Sequence, residues 1–234
     1  GRTALGAVTN AHNTAVGYAA GSSASTAENS VLLGGSCASN LTTGNNNICI
    51  GASAANNTVL LTEGSDNIVI GFTARTSSAT VSDEIVLGAA VTGTGNQTFV
   101  FGDGTLDTNC SMGGTTWANP SDERIKEEIK DEVVGLSFIN DLRPRTFRYR
   151  KEKDIPDSLN AHVADSEKRY KTDKYEHGFV AQEVKEAIDK HSSLKNGFDM
   201  WAEDPSDGRQ RVGPTAVIPV LIKAIQELSA DVEK

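Results

Sequence analysis

Seven short apolar runs, each closed by a glycine, occupy the first half of this chain. They are TALG ending at Gly6, NTAVG at Gly17, NSVLLG at Gly34, NNICIG at Gly51, DNIVIG at Gly71, DEIVLG at Gly88 and QTFVFG at Gly102. The residues one and three before the glycine are apolar in most units, as in Val31/Leu33, Ile48/Ile50, Ile68/Ile70, Ile85/Leu87 and Phe99/Phe101. A period of two sends such a pair to one face of a strand, and the glycine permits a tight corner after it. No run is long enough to bury its own face, so each unit needs neighbours. Stacked coils of a parallel β-roll supply them, and seven coils about 4.8 Å apart would form a rod of roughly 30 Å. Asn-rich turns between the runs, such as SNLTTGNNN, offer side-chain ladders from coil to coil. A flat antiparallel sandwich would explain the alternation but not the recurring glycine, and the regular triplets argue against a disordered low-complexity segment.

The chemistry changes at Pro120/Ser121. Residues 1–120 contain no lysine and only two arginines, Arg2 and Arg75, whereas residues 121–234 hold the other 20 basic residues. Two domains follow: a repetitive β-roll over 1–120 and an ordinary charged α+β domain over 121–234. The net charge of −9 speaks against a nucleic-acid backbone as partner. No apolar run reaches the roughly 20 residues of a membrane span, so no membrane insertion is expected. There is no signal-peptide pattern, and the Gly1 start reads as a piece of a longer chain. Cys37, Cys49 and Cys110 lack metal-ligand spacing and read as small buried residues of a protein assembled in a reducing cytoplasm. The histidines His12, His162, His177 and His191 form no HxxxH or HExxH pattern. No metal and no cofactor are expected.

In the second half, Ile125, Ile129, Val133, Leu136, Ile139 and Leu142 recur every three or four residues, a helical face that Gly135 weakens, so that the first turns need not be helical. RPRTFRYR reads as a strand with Phe147 and Tyr149 on one side, HGFVAQEVKEAI as a strand entering a helix, and FDMWAED and RQRVG as short strands around PSDG. Near the C-terminal end, Ile218, Leu221, Ile225, Leu228 and Val232 follow 3, 4, 3, 4 spacing, an a/d seam. Pro214 and Pro219 fit only near a helix start. The seam suits a helix docked on its own domain or a coil of three chains.

Two resemblances sharpen these readings. NTAVG at Asn13–Gly17 resembles the NAxAxG repeat of left-handed parallel β-rolls in trimeric adhesin heads, which implies a trimeric rod. SDERIK at Ser121–Lys126, LRPRTFRYR at Leu142–Arg150, GFVAQEV at Gly178–Val184 and AIQEL at Ala224–Leu228 occur in order. Together they resemble the intramolecular chaperone domain of endosialidase-type phage tailspikes and tail fibres, the S74 peptidase family. The chain departs from that family in carrying VGPTAVIP where an aromatic usually precedes the last helix. The family fold implies a chaperone that assembles a trimeric fibre and then cuts itself free. Carried over by position, the scissile bond is Pro120–Ser121, Ser121 is the nucleophile and Lys126 the general base.

A serine hydroxyl needs a base at neutral pH, and an ammonium cannot accept a proton, so a lysine base requires a desolvated pocket. Such a pocket forming where three chains meet would make cleavage a readout of assembly. On a regular helix five residues separate side chains by about 140°. Ser121 and Lys126 therefore need a non-helical link, or a lysine from another chain. Without the resemblance, Ser121 before Asp122 and Glu123 reads as a helix N-cap with an acidic first turn. Asp122 would act on neighbouring amides in either case. Arg124 would orient a carboxylate or an oxyanion, or form a surface ion pair. His177 would assist the site or serve as a structural histidine.

Three functions follow. The first is a phage tail fibre or tailspike tip with a self-cleaving chaperone: a homotrimer joined to upstream fibre domains, assembled in the host cytoplasm, carried on the virion and binding a host receptor or glycan. The second is a non-catalytic trimeric adhesin whose C-terminal domain is a retained cap. The third, a glycanase, is disfavoured because the adjacent Asp83 and Glu84 point to opposite strand faces.

Overall fold

A computed structural model describes residues 1–6, 8–9, 12–195 and 197–233. The chain divides into two compact units, Gly1–Glu127 and Glu128–Lys234. The seam in packing thus falls a few residues after the seam in composition.

The first unit is a parallel β-solenoid of about five turns. Strands β1 (Thr14–Val16), β2 (Val31–Leu33) and β3 (Ile48–Ile50) stack in order. A small antiparallel hairpin, β4 (Asn56–Asn57) with β5 (Val59–Leu60), follows. The stack resumes with β6 (Ile68–Ile70), β7 (Ile85–Leu87) and β8 (Thr98–Gly102), all parallel, and ends on β9 (Asp107–Ser111), antiparallel to β8. Among the described residues, six parallel strands thus replace the seven coils read from the repeats, because the TALG unit forms a turn rather than a strand. Most coils span 17 residues between closing glycines; the coil from Gly51 to Gly71 spans 20 and contains the β4–β5 hairpin.

The register explains the repeat. Leu32, Cys49, Val69, Val86 and Val100 align across β2, β3, β6, β7 and β8 and are completely or almost completely buried. They are the middle residues of the triplets. The pairs that flank them, such as Ile48/Ile50 and Ile68/Ile70, point outward and remain partly exposed. The alternation is therefore real, but its inward member is the residue between the two apolar markers. Small residues from the return turns, among them Ala20, Ala38, Ala54 and Ala74, complete the narrow core. The three cysteines are buried as expected, and Cys37 Sγ donates to the Cys49 carbonyl at 3.0 Å. The thiol contact with Cys37, together with burial, pushes the Cys49 thiol up.

Two backbone devices turn each corner. The closing glycines adopt φ values of 127–144° at Gly17, Gly34, Gly51, Gly71 and Gly88, outside the range open to L-residues. They also stack closely: a Cβ at Gly17 would lie 2.5 Å from the Gly34 carbonyl oxygen. Before each of four strands stands a polar dyad, Asn29–Ser30, Asn46–Asn47, Asp66–Asn67 or Asp83–Glu84. Its first member is left-handed, with φ between 55° and 60°, a conformation that Asn and Asp tolerate. Its second member is buried and joins a ladder. Asn13 Oδ1 accepts from Ser30 N at 2.9 Å, Ser30 Oγ from Asn47 N at 3.2 Å, Asn47 Oδ1 from Asn67 N at 3.1 Å and Asn67 Oδ1 from Glu84 N at 3.1 Å. Asn47 Nδ2 and Asn67 Nδ2 also donate to the turn carbonyls of Gly64 and Val81, both at 2.9 Å. The buried Glu84 carboxylate accepts from Ser77 N and Gly95 N at 3.0 and 2.8 Å, while Asp83 is exposed, so the adjacent carboxylates do diverge.

The second unit is α+β. Its helices are α1 (Leu136–Asp141), α2 (Ala181–Lys190) and α3 (Ile218–Val232), with a 3-10 turn at Pro214–Val217 leading into the last. Two antiparallel ribbons accompany them: β10 (Arg145–Phe147) with β11 (Glu176–Gly178), and β12 (Trp201–Glu203) with β13 (Gln210–Val212). Phe138, Val184, Met200 and Val220 are the most buried residues of the core. The helical face read from Ile125 to Leu142 is only half right. Ile125, Ile129 and Val133 are about two-thirds or more exposed, and the helix begins at Leu136. Carboxylates take the amides that a helix would have paired: Glu132 Oε1 accepts from Val133 N and Val134 N at 2.8 Å, and Glu227 Oε2 accepts from Leu136 N at 2.8 Å. Gly135 admits that Glu227 carboxylate, for a Cβ there would lie 2.7 Å from Oε2. Helix α3 packs on α1 through its other face, burying Val220 and Ala224. Its a/d seam is exposed, from 38% at Leu221 to 86% at Val232. Among the described residues, no helix is long and apolar enough to cross a membrane.

The ladder carries an expected outcome. Asn67→Ala strands the buried Glu84 amide and Val81 carbonyl, and should lower unfolding free energy by about 2–4 kcal/mol in urea titration followed by circular dichroism. Asp83→Asn, on the exposed side of the next dyad, should change it by less than about 0.5 kcal/mol.

Candidate active site

The chain reaches the candidate site tethered to the end of the solenoid. Asn109 and Ala118 exchange backbone hydrogen bonds of 3.0 and 2.8 Å, and Thr108 Oγ1 donates to Asn119 Oδ1 at 2.5 Å. Trp117 packs edge-on against Phe99 and Phe101, with ring centroids 5.7 and 5.5 Å apart. Pro120, Asn119 and Ile125 then border an open depression of about 340 Å³, whose other wall is the β8–β9 loop and the start of β9 at Thr105–Thr108.

Ser121 and Lys126 flank a single 3-10 turn, Glu123–Ile125. Asp122, extended at φ −66° and ψ 136°, is its N-cap, and Asp122 Oδ1 accepts from Arg124 N at 2.9 Å. Ile125 N donates to Asp122 O at 3.2 Å and Lys126 N to Glu123 O at 3.0 Å. Lys126 is extended again, at φ −119° and ψ 146°. The helical stretch is a single turn of three residues between extended neighbours, so no regular helix fixes the angle between Ser121 and Lys126. Lys126 Nζ donates to Ser121 Oγ at 2.6 Å within one chain. The link is thus non-helical, and the cap is Asp122 rather than Ser121, whose hydroxyl is left to the lysine.

Asp122 and Arg124 form a fork: Nε donates to Oδ1 at 2.9 Å and Nη2 to Oδ2 at 2.6 Å. The Arg124 guanidinium, with the backbone amide behind it, holds the Asp122 carboxyl down at about 2, and Asp122 raises Arg124 in return. Arg124 therefore orients a carboxylate, that of Asp122, in an exposed ion pair. Pro120, Ser121 and Lys126 are exposed as well. His177 belongs to the second unit, on β11, where its Nδ1 lies 3.1 Å from Thr146 Oγ1 across the ribbon. There it borders an open cavity of about 640 Å³ with Phe147, Tyr149 and Arg211. Among the described residues no cluster of three or more His, Cys, Asp and Glu side chains could hold a metal ion.

Chemically, a hydroxyl beside an amine at 2.6 Å is a nucleophile beside a base once the amine is neutral. Residues 121–193, starting at that serine, match the family model described as the chaperone of endosialidase, Peptidase_S74. The matched stretch is similar to that family and lies within the chaperone domain expected from the sequence over 121–234. Searches of curated proteins and of solved structures returned no match. The sequence singled out Ser121 and Lys126, which the structure brings to hydrogen-bond distance, and it expected Asp122 to act on a neighbouring amide, as it does on Arg124 N; that this caps a turn between the two was not read, although an Asx residue directly before a short charged turn is the usual signal.

The pH dependence of the turn follows from its cap. A carboxyl held below its ordinary value stabilises the fold above the unfolded pKa and loses that contribution as pH falls through the folded one. The 122–126 turn should therefore persist at pH 4 and melt between about pH 4 and about 2, with the Asp122 carboxyl titrating near 2 by NMR.

Proposed function

We propose that this chain is the C-terminal part of a phage tail fibre or tailspike. Its chaperone drives trimerisation and folding of the β-rod, then releases itself by cutting Pro120–Ser121. The 2.6 Å approach of Lys126 Nζ to Ser121 Oγ, at the first residue of the family match, carries this reading. Neutral Lys126 takes the hydroxyl proton as Ser121 Oγ attacks the Pro120 carbonyl. Because the Ser121 nitrogen is the leaving group, collapse breaks the C–N bond, protonates that nitrogen and leaves Pro120 as an ester on Ser121 Oγ. Water then hydrolyses the ester, giving a Pro120 carboxylate and a free Ser121 amine. Lys126 acts as base only after its exposed ammonium is covered and loses a proton, so assembly gates the cut.

Two apolar surfaces support a homotrimer. The outer face of the solenoid sheet presents Val31/Leu33 through Phe99/Phe101, and α3 presents Ile218, Leu221, Ile225, Leu228 and Val232. A C-terminal clamp raises the local concentration of three rods whose stacking is entropically costly. The mature fibre, joined to upstream domains and carried on the virion, would bind a host receptor or glycan. The exposure of Lys126 favours one other reading, a non-catalytic adhesin with a retained cap.

Wild type should run as two fragments on a denaturing gel, the smaller beginning at Ser121. Ser121→Ala should stay intact, and Lys126→Met should cut at least about 10²-fold more slowly. Hydroxylamine should trap Pro120 as a hydroxamate. A wild-type chain that stays whole after complete trimer assembly would favour the retained cap. Separately, Ile225→Asp should shift the native mass from trimer towards monomer and suppress cleavage; an unchanged trimer would remove α3 from the interface.

A further inference from the structure

The 3-10 turn between Ser121 and Lys126 has little to hold it. It is three residues long and none of them is buried. Isolated turns of this size are marginal in water, since nucleation costs more than one hydrogen bond returns. Two backbone hydrogen bonds close it, at 3.2 and 3.0 Å. The side-chain support comes from Asp122, which accepts from the Arg124 amide at 2.9 Å and grips the Arg124 guanidinium with both carboxylate oxygens. The Lys126–Ser121 contact spans this turn, so opening it frees the two residues to separate.

We propose that Asp122 is a positioning residue for self-cleavage: by capping the Glu123–Ile125 turn it holds Lys126 Nζ against Ser121 Oγ. The inference rests on the self-cleavage reading above. Asp122 makes its side-chain hydrogen bonds to Arg124, not to the scissile carbonyl or the hydroxyl; it acts through the backbone of Arg124 and hence on Lys126. The carboxylate oxygen that accepts from the Arg124 amide is the essential feature, and the ion pair with Arg124 adds little because it is exposed. A misplacement of about 1 Å at a reacting pair can cost about 10²-fold in rate, and a marginal turn amplifies the loss of a cap.

The test follows cleavage with time on denaturing gels, using the full chain and counting only assembled trimers resolved by native electrophoresis. Asp122→Ala should cut about tenfold more slowly than wild type. Asp122→Asn and Asp122→Ser keep a short side-chain acceptor without the charge and should recover to within about threefold of wild type. This rescue is something a general loss of folding would not produce. Should the alanine variant fail to assemble, Asp122→Gln takes its place, since its acceptor lies one methylene too far to cap. Wild-type rates in the Ala or Gln variant would overturn the proposal. So would equal slowing in the Asn, Ser and Ala variants, which would assign the effect to charge. Ser121→Ala, run alongside, separates the two levels: fragments from that variant would sink the self-cleavage reading itself, and with it any role for Asp122 in positioning.

Discussion

Everything in the rod depends on stacking one backbone on the next at β-sheet spacing. A coil of 17 residues with a three-residue strand cannot form a core alone; beyond its own tight turns, its amides and carbonyls are satisfied by the coils before and after it. The stacked glycines permit the close approach at one corner, and the Asn13–Ser30–Asn47–Asn67–Glu84 column, buried from Ser30 onward, pairs the amides at another. The apolar interior is thin and built largely of Ala and Val with a few Leu and Cys, so hydrogen-bond pairing specifies the register as much as packing does.

Much of this was legible in the sequence, but not its polarity. The glycine-closed triplets announced a solenoid because their period and their corner residue agree. Runs such as Ile48–Cys49–Ile50 are apolar throughout, so alternation alone does not tell the inward side from the outward one. The deciding information lies in the return turns, whose buried Ala, Leu and Val side chains pack against the central residue of each triplet. The polar dyads before the strands were visible as letters and their roles were not, since one member needs a left-handed backbone and the other a buried partner from the next coil. The stretch from Ile125 to Val133 stayed open for the opposite reason. Its spacing is helical, but the amides around Val133, Val134 and Leu136 are claimed by Glu132 and Glu227, and the latter is remote in sequence.

At the candidate site, the family resemblance supplied the residues and helix geometry supplied the objection. An α-helix would have kept Ser121 and Lys126 apart. The 3-10 turn removes that objection with the same number of residues, and it does so through Asp122, a residue that either reading had treated as accessory. On the self-cleavage reading the pair is prearranged but exposed in a single chain. The step left to assembly is then a change of surroundings rather than of shape, which suits a reaction meant to occur once.

The antiparallel course of β9 has a consequence for how such a rod can change in length. A parallel stack ends in an open edge that any further coil, from this chain or another, could extend. By running back along β8 and accepting the Asn109–Ala118 bridge on its far side, β9 replaces that open edge with a hairpin of a different pattern. Whole coils can therefore be gained or lost upstream, as modular insertions between one closing glycine and the next, without altering the terminus. The loop that borders Pro120 stays fixed to this terminator whatever the number of coils before it.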